Sequence, residues 1–342
     1  MKTNLEYWSM NDVLKLYQTK VNRQSVMKAE KVGRIPTAER TNRGLRAWKI
    51  SDLPDIGKVY GFLKPPESQI KICVYTGKGG VLKTTISYTL ARMLALHGIK
   101  TLIVGLDFQC SITSLGLTPL VNVTSLENLP VYKDVGDVLF NGCQLKDVIQ
   151  KTSLPTLDIL PETDRIAETN NLIGTKTAEN STRKTPSSMG RHEYFTKFLL
   201  PQLKEYQVII FDNSPSWSYL IENSLFAADY VISPTACDPG SYQVLNNNLN
   251  GIYDFGSNSG KEWKRLFLVP TLKDKSKLSG QIHASYITNE AEIVTENFIR
   301  RSIRGSEAFS LGVSPIEFDV ASELSEDYYS LVKEIWGAIQ KG

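Results

Sequence analysis

The stretch that decides the fold is Ile70-Lys71-Ile72-Cys73-Val74-Tyr75-Thr76-Gly77-Lys78-Gly79-Gly80-Val81-Leu82-Lys83-Thr84-Thr85. An apolar run reads as a buried strand, the glycines as a tight turn, and the apolar-periodic residues from Thr84 to Leu96 as a helix. A strand, a glycine-rich turn and a helix N-terminus in that order present backbone N–H groups and a positive dipole end to phosphate oxygens. Lys83 is placed to reach the β and γ phosphates and Thr84 to offer its hydroxyl to Mg2+. The cradle then consists of Gly79, Gly80, Val81, Leu82, Lys83, Thr84 and Thr85. The usual phosphate-loop pattern has glycine where this chain has Leu82, and a non-glycine residue held at positive φ costs about 1 to 2 kcal/mol.

Outward from that turn, further apolar runs at residues 101–106, 208–211, 230–233 and 266–269 alternate with helical stretches such as 194–203. Continuous apolar strands separated by helices imply an α/β fold with a mostly parallel sheet covered by helices on both faces. The polar stretch 174–191 reads as a mobile surface loop. Lys64-Pro65-Pro66-Glu67-Ser68 reads as a stiff joint, which divides the chain into residues 1–63, a linker at 64–69 and a body at 70–342.

The 342 residues, 41% hydrophobic and 22% charged, suit a globular protein with a sizeable core and exclude collagen or bulk disorder. No uncharged apolar run reaches the roughly 18 residues of a spanning helix, and the first residues carry no signal-peptide core, so a cytoplasmic address is expected. Cys73, Cys110, Cys143 and Cys237 lack metal-pair or disulfide-scaffold spacing and read as buried thiols. The overall net charge of +3 hides an asymmetry: residues 20–49 carry nine cations against two carboxylates, +7, which leaves −4 for the remainder. A basic module on an acidic body is the footprint of a nucleic-acid reader.

Within that basic module, residues 11–17 and 23–31 read as two helices at helix-turn-helix spacing. Pro36, Arg40, Gly44, Arg46, Trp48, Asp52 and Leu53 fill the places of the wing and following helix in winged helix-turn-helix domains of the MerR type, which this stretch resembles. That resemblance implies DNA contacts from Arg23, Lys28, Arg40, Arg43 and Arg46.

The body resembles the deviant Walker A ATPases of the ParA/MinD family, whose box reads Lys-Gly-Gly-Val-x-Lys-Thr-Thr, here residues 78–85. The segment 102–109 is similar to the family's Asp-x-Asp-Pro-Gln motif, with Gly105 and Phe108 as departures and Asp107 retained. The segment 206–216 resembles its Walker B stretch, ending a strand at Asp212. Later segments at 228–235, 268–278 and 298–309 follow in the family's order.

The resemblance implies a P-loop ATPase using ATP/ADP and Mg2+. Lys78 would cross a homodimer interface, Lys83 would bind phosphate, and Asp107 would orient or deprotonate water. Thr84 and Asp212 would hold the metal, Pro270 and Thr271 would border the adenine, and Lys275, Lys277, Arg301 and Arg304 would contact DNA nonspecifically. The implied role is ATP-dependent plasmid or chromosome partition on the nucleoid, with hydrolysis stimulated by a centromere-binding ParB-like partner. Two other roles fit the same residues: an ATP-sensing transcriptional repressor using the winged module, and a MinD-like membrane-cycling regulator. The latter needs a basic amphipathic terminal helix. Residues 325–341 are amphipathic but poor in cations, so docking into the core is expected and no membrane partner. Paired cluster cysteines of a nitrogenase-like reductase are not found.

Overall fold

The computed structural model describes residues 6–41, 44–117, 130–182 and 189–342. The chain runs β1 (Tyr7–Ser9), α1 (Met10–Leu16), α2 (Arg23–Lys31), β2 (Glu39–Arg40), β3 (Arg46–Lys49) and α3 (Leu53–Tyr60), then enters the body. There it continues through β4 (Ile70–Val74), α4 (Lys83–Leu96), β5 (Thr101–Leu106), α5 (Ser111–Gly116), α6 (Val135–Leu139), β6 (Gln150–Lys151), β7 (Leu157–Leu160) and α7 (Ile166–Thr182). It ends with β8 (Val208–Asn213), α8 (Tyr219–Ala227), β9 (Tyr230–Ala236), α9 (Pro239–Ser259), β10 (Arg265–Thr271), α10 (Lys277–Asn289), α11 (Ile303–Ser310), α12 (Pro315–Phe318) and α13 (Glu323–Lys341).

Seven strands form the central sheet in the order β10-β9-β4-β8-β5-β7-β6. All neighbours pair in parallel except β6, which lies antiparallel to β7 at the edge. Strands β4, β5, β8 and β9 are almost wholly buried, as their uninterrupted apolar runs require of a sheet covered on both faces. In such sheets ligands bind beyond the carboxyl ends of the strands where the order reverses, here around β4, β8 and β5.

Residues 174–182 are not a loop: they complete α7, which buries Ile173 and exposes Thr175 and Lys176, while residues 183–188 lie outside the described residues. Residues 194–203 form one π-helical turn and a short 3-10 turn, because Pro201 sits where a continuing α-helix would need its N–H. Of the cysteines, Cys73 and Cys237 are buried, whereas Cys110 and Cys143 are only partly so.

In the N-terminal part, β1 pairs with β3 and β3 with β2, making a three-stranded antiparallel sheet beside α1 and α2. Trp8 and Trp48 are fully buried, and the indole of Trp48 donates to Pro36 O at 2.8 Å. This part is welded to the body. Leu16, Tyr17, Leu53 and Ile56 share one hydrophobic cluster with Leu90, Leu94, Tyr329 and Trp336. The Tyr17 hydroxyl donates to both Leu53 O (2.5 Å) and Leu96 O (3.0 Å), and the Tyr329 hydroxyl donates to Leu16 O at 2.8 Å. A Cβ at Gly57 would lie 2.0 Å from Leu96 O, so only glycine lets α3 approach the end of α4 this closely. His97 packs edge-on against Tyr17 and Phe62, and burial pushes its pKa down to about 4, leaving a neutral ring in the seam.

The apolar face of α13 (Leu331, Val332, Ile335, Trp336 and Ile339) is buried in the same core. Among the described residues no helix is long and apolar enough to cross a membrane.

Candidate nucleotide site

At the carboxyl end of β4 the chain turns through Gly80 (φ +73°) and Leu82 (φ +69°) before α4 begins at Lys83. Leu82 therefore adopts the left-handed conformation its position was expected to demand, and carries that strain. Gly79 and Gly80 have open space where side chains would stand, so the loop's backbone faces an open cradle. The Thr271 hydroxyl at the end of β10 donates to Val81 O at 3.2 Å and ties the loop to the sheet.

Beneath the loop, the Thr84 hydroxyl donates to Asp212 Oδ2 at 2.8 Å and the Ser87 hydroxyl to Asp212 Oδ1 at 2.7 Å. Thr84 and Ser87 meet one carboxylate because residues three apart share a helix face. Asp212 is 1% exposed, and burial pushes its pKa up to about 6 against the opposing pull of Ser87, Thr84 and Lys83. Lys83 is also buried; its ammonium donates to Lys78 O at 2.9 Å, and burial holds it below the usual lysine range although Asp212 and Asp107 pull the other way.

A cavity of about 410 Å³ above these groups is lined by Gly79, Gly80, Lys83 and Thr84 on one side and by Asp107, Phe108, Pro215 and Ser216 on the other. Asp107 is buried at its edge, with Oδ1 accepting from Gln109 N at 3.1 Å. The donor set fits a nucleotide with Mg2+: a backbone cradle and buried ammonium for phosphates, and one hydroxyl–carboxylate pair for an ion that retains several waters. A second cavity, about 320 Å³, shares Leu82 and Thr85 and continues along Leu272, Arg301, Ser302 and Phe309. Leu82 and Thr85 of the phosphate loop thus line both chambers. Pro270 and Thr271 lie inside β10, buried, while the next residue, Leu272, lines the second chamber.

Lys78 Nζ lies 3.0 Å from Asp238 Oδ1, at the start of α9. Lys28 is exposed on α2; Arg23 donates to Asn11 Oδ1 at 2.6 Å and Arg40 to Gly44 O at 2.9 Å. Arg43 lies outside the described residues. Arg46 is ion-paired with Glu30, a buried carboxylate that also accepts from Ala38 N, and so ties the strand pair to α2. Lys275 and Lys277 are exposed, and Arg301, on the segment before α11, stands 4.0 Å from Asp274 of the β10–α10 loop. Arg304 is paired with Asp319.

Three groups at the site were missed in the sequence. Ser87 had a signal, its spacing from Thr84. Asp238 had one too, an N-capping residue directly before Pro239. Glu162, which reaches under β5 from beyond β7, had none.

The AAA domain family matches residues 69–262 of this chain. The chain is 28% identical over 265 residues to the sporulation initiation inhibitor protein Soj of Bacillus subtilis, covering 77% of this chain and 97% of Soj. It is 27% identical over 270 residues to the chromosome partitioning protein ParA of Caulobacter vibrioides, covering 77% and 92%. A solved partition protein superposes with a TM-score of 0.71 at 14% identity and covers 98% of this chain and 93% of its own. With the lysine-bearing phosphate loop at 78–85 set on a mostly parallel seven-stranded sheet, the chain belongs to the AAA domain family and, within it, to the ParA-type partition ATPases.

Proposed function

We propose that this chain is a DNA-partition ATPase that binds ATP with Mg2+, pairs with a second copy, engages DNA, and lets go when a centromere-binding ParB-like partner stimulates hydrolysis. The observation that carries the reading is the Thr84–Asp212 pair, closed by Ser87 and set under the Gly79–Thr85 cradle. Lys83 and the loop amides bind the phosphates, and Thr84 and Asp212 hold the metal, which when bound neutralises phosphate charge. Asp107 orients the attacking water from the opposite wall. Lys78, with its side chain about one-third exposed at the rim, crosses to the nucleotide of the second copy. Leu82, Thr85 and Leu272 receive the base, with Pro270 and Thr271 fixing the loop behind them.

Residues 1–63 are assigned to a winged helix-turn-helix that reads an operator through α2, with 64–69 as the joint to the body at 70–342. Arg23, Lys28, Arg40 and Arg43 supply its phosphate and base contacts, while Arg46 acts chiefly by holding Glu30. On the body, Lys275, Lys277, Arg301 and Arg304 form the nonspecific surface. The fusion of this module to the end of α4 favours a second, coexisting role as an ATP-sensing repressor, since the phosphate loop and the operator reader then sit at the two ends of one helix. Such a protein works in the cytoplasm on the nucleoid.

Because the two parts share a core, charge substitutions rather than deletion separate their DNA surfaces. Lys28→Glu should abolish operator binding and leave ATP-dependent, sequence-indifferent binding that falls steeply with salt. Lys275→Glu/Lys277→Glu should do the reverse. ATP turnover that responds to neither DNA nor a partner would sink the partition reading.

A further inference from the structure

Glu162 follows β7 by two residues and is 1% exposed. Its Oε1 accepts from Ile112 N at 2.7 Å and from Thr113 N at 3.2 Å. The Thr113 hydroxyl donates to Glu162 O at 2.9 Å and accepts from Glu162 N at 3.0 Å. Four hydrogen bonds thus pin the start of α5 to the end of β7. The turn Asp107-Phe108-Gln109-Cys110 carries the chain from β5 into α5. It is itself tight, with Cys110 N donating to Asp107 O at 2.9 Å and Cys110 at φ +53°.

The second carboxyl oxygen, Oε2, is buried and has no hydrogen-bond partner among the described residues. It lies directly against Gly105: a Cβ there would come within 1.1 Å of it. Gly105 pairs in register with Asp212 and precedes Asp107 by two, so the Glu162 carboxyl lies across the sheet beside both site carboxylates. Burial, with Asp212 and Asp107 adding to it, holds this carboxyl well above the usual carboxylate range.

We propose that Glu162 is a positioning residue for ATP hydrolysis: by pinning the start of α5 it fixes the turn that aims Asp107, and residue 105 is glycine because the carboxyl occupies the space of its side chain. The phosphate loop is untouched by this contact, so positioning governs turnover and not nucleotide affinity. The inference rests on Asp107 as the water-orienting group.

The test uses the full chain with Glu162→Gln, Glu162→Ala, Gly105→Ala and the Gly105→Ala/Glu162→Ala pair. For each, ATP turnover, the dissociation constant of a fluorescent ATP analogue, thermal stability, and hydrogen exchange at the Ile112 and Thr113 amides are measured. Glu162→Gln keeps an acceptor for both amides and should hold kcat within about threefold. Glu162→Ala should lower kcat about 10- to 100-fold, as small misplacements of a catalytic group do, with the dissociation constant within about threefold and faster exchange at both amides. Gly105→Ala should lose stability and kcat together; adding Glu162→Ala should restore stability and leave kcat low. If Glu162→Ala folds poorly, the Glu162→Gln and double variants still decide the matter. Unchanged kcat in Glu162→Ala or in the double variant, a glutamine as damaging as alanine, or affinity falling in step with kcat would each overturn the inference. Asp107→Ala run alongside tells the two readings apart: full turnover there removes the premise, whereas loss there with full turnover in Glu162→Ala removes only this proposal.

Discussion

Lys78 Nζ rests 3.0 Å from Asp238 Oδ1 of its own chain, across 160 positions of sequence. Both side chains are about one-third exposed, at 31% and 37%, so the pair is a weak tether worth about 0 to 1 kcal/mol.

A lysine that crosses to a second copy has to leave Asp238 first. Asp238→Asn keeps the N-cap acceptor for Ser241 N but removes the charge, and should shift ATP-dependent self-association to roughly 2- to 5-fold lower protein concentration. Lys78→Ala should weaken it. Sedimentation with ATP and Mg2+ reads both, and an unchanged ATP dimer in Lys78→Ala would assign the contact elsewhere.

Asp107→Ala should bind ATP and self-associate normally while turning over about 10²- to 10⁴-fold more slowly, the usual worth of a general base or water-orienting group. Single-turnover kinetics against equilibrium nucleotide binding separates the two effects.

Asp212 sets a pH dependence. Its folded pKa, raised to about 6 by burial, means that without metal the native state holds the proton more tightly than the unfolded chain. Its contribution to stability is therefore complete below the ordinary aspartate value and is lost as pH rises through about 6. Metal binding runs the other way, since a protonated carboxyl is a poor ligand. Mg2+-dependent nucleotide affinity should rise between pH 5 and pH 7.5, in fluorescence titrations with and without a chelator. Asp212→Asn should flatten both profiles; a persisting rise would place the metal ligand elsewhere.

Arg92 on α4 and Glu317 on α12 form a two-pronged ion pair, with Nε to Oε2 at 2.5 Å and Nη2 to Oε1 at 2.7 Å, at 2% and 0% exposure. Burial pushes the Glu317 pKa up, but Arg92 and Ser314 outweigh it and hold it below the usual range. That contribution to stability is present above the ordinary glutamate value and lost as pH falls through the lowered one. Arg92→Met strands the buried carboxylate and should cost about 3 to 5 kcal/mol in denaturant unfolding; Arg92→Met/Glu317→Leu should recover most of it. Equal destabilisation in the single and double variants would show that packing, not charge, dominates.

What the sequence determined by itself is the short-range part: the β4–loop–α4 unit, the left-handed demand on Leu82, the bounds of α2, and the apolar face of α13. Each follows from periodicity and residue type over a few turns of chain, where the interacting atoms are neighbours in sequence. Tertiary structure alone decided the rest. Strand β7 was invisible as a four-residue run interrupted by Asp158, which survives burial because Lys151 and Tyr206 meet it. The Gly105–Glu162 fit, the Lys78–Asp238 tether and the seating of Gly57 on Leu96 join residues 39 to 160 positions apart. Such partners are set by strand order and helix placement, which the apolar pattern leaves open because any order that buries both faces satisfies it equally.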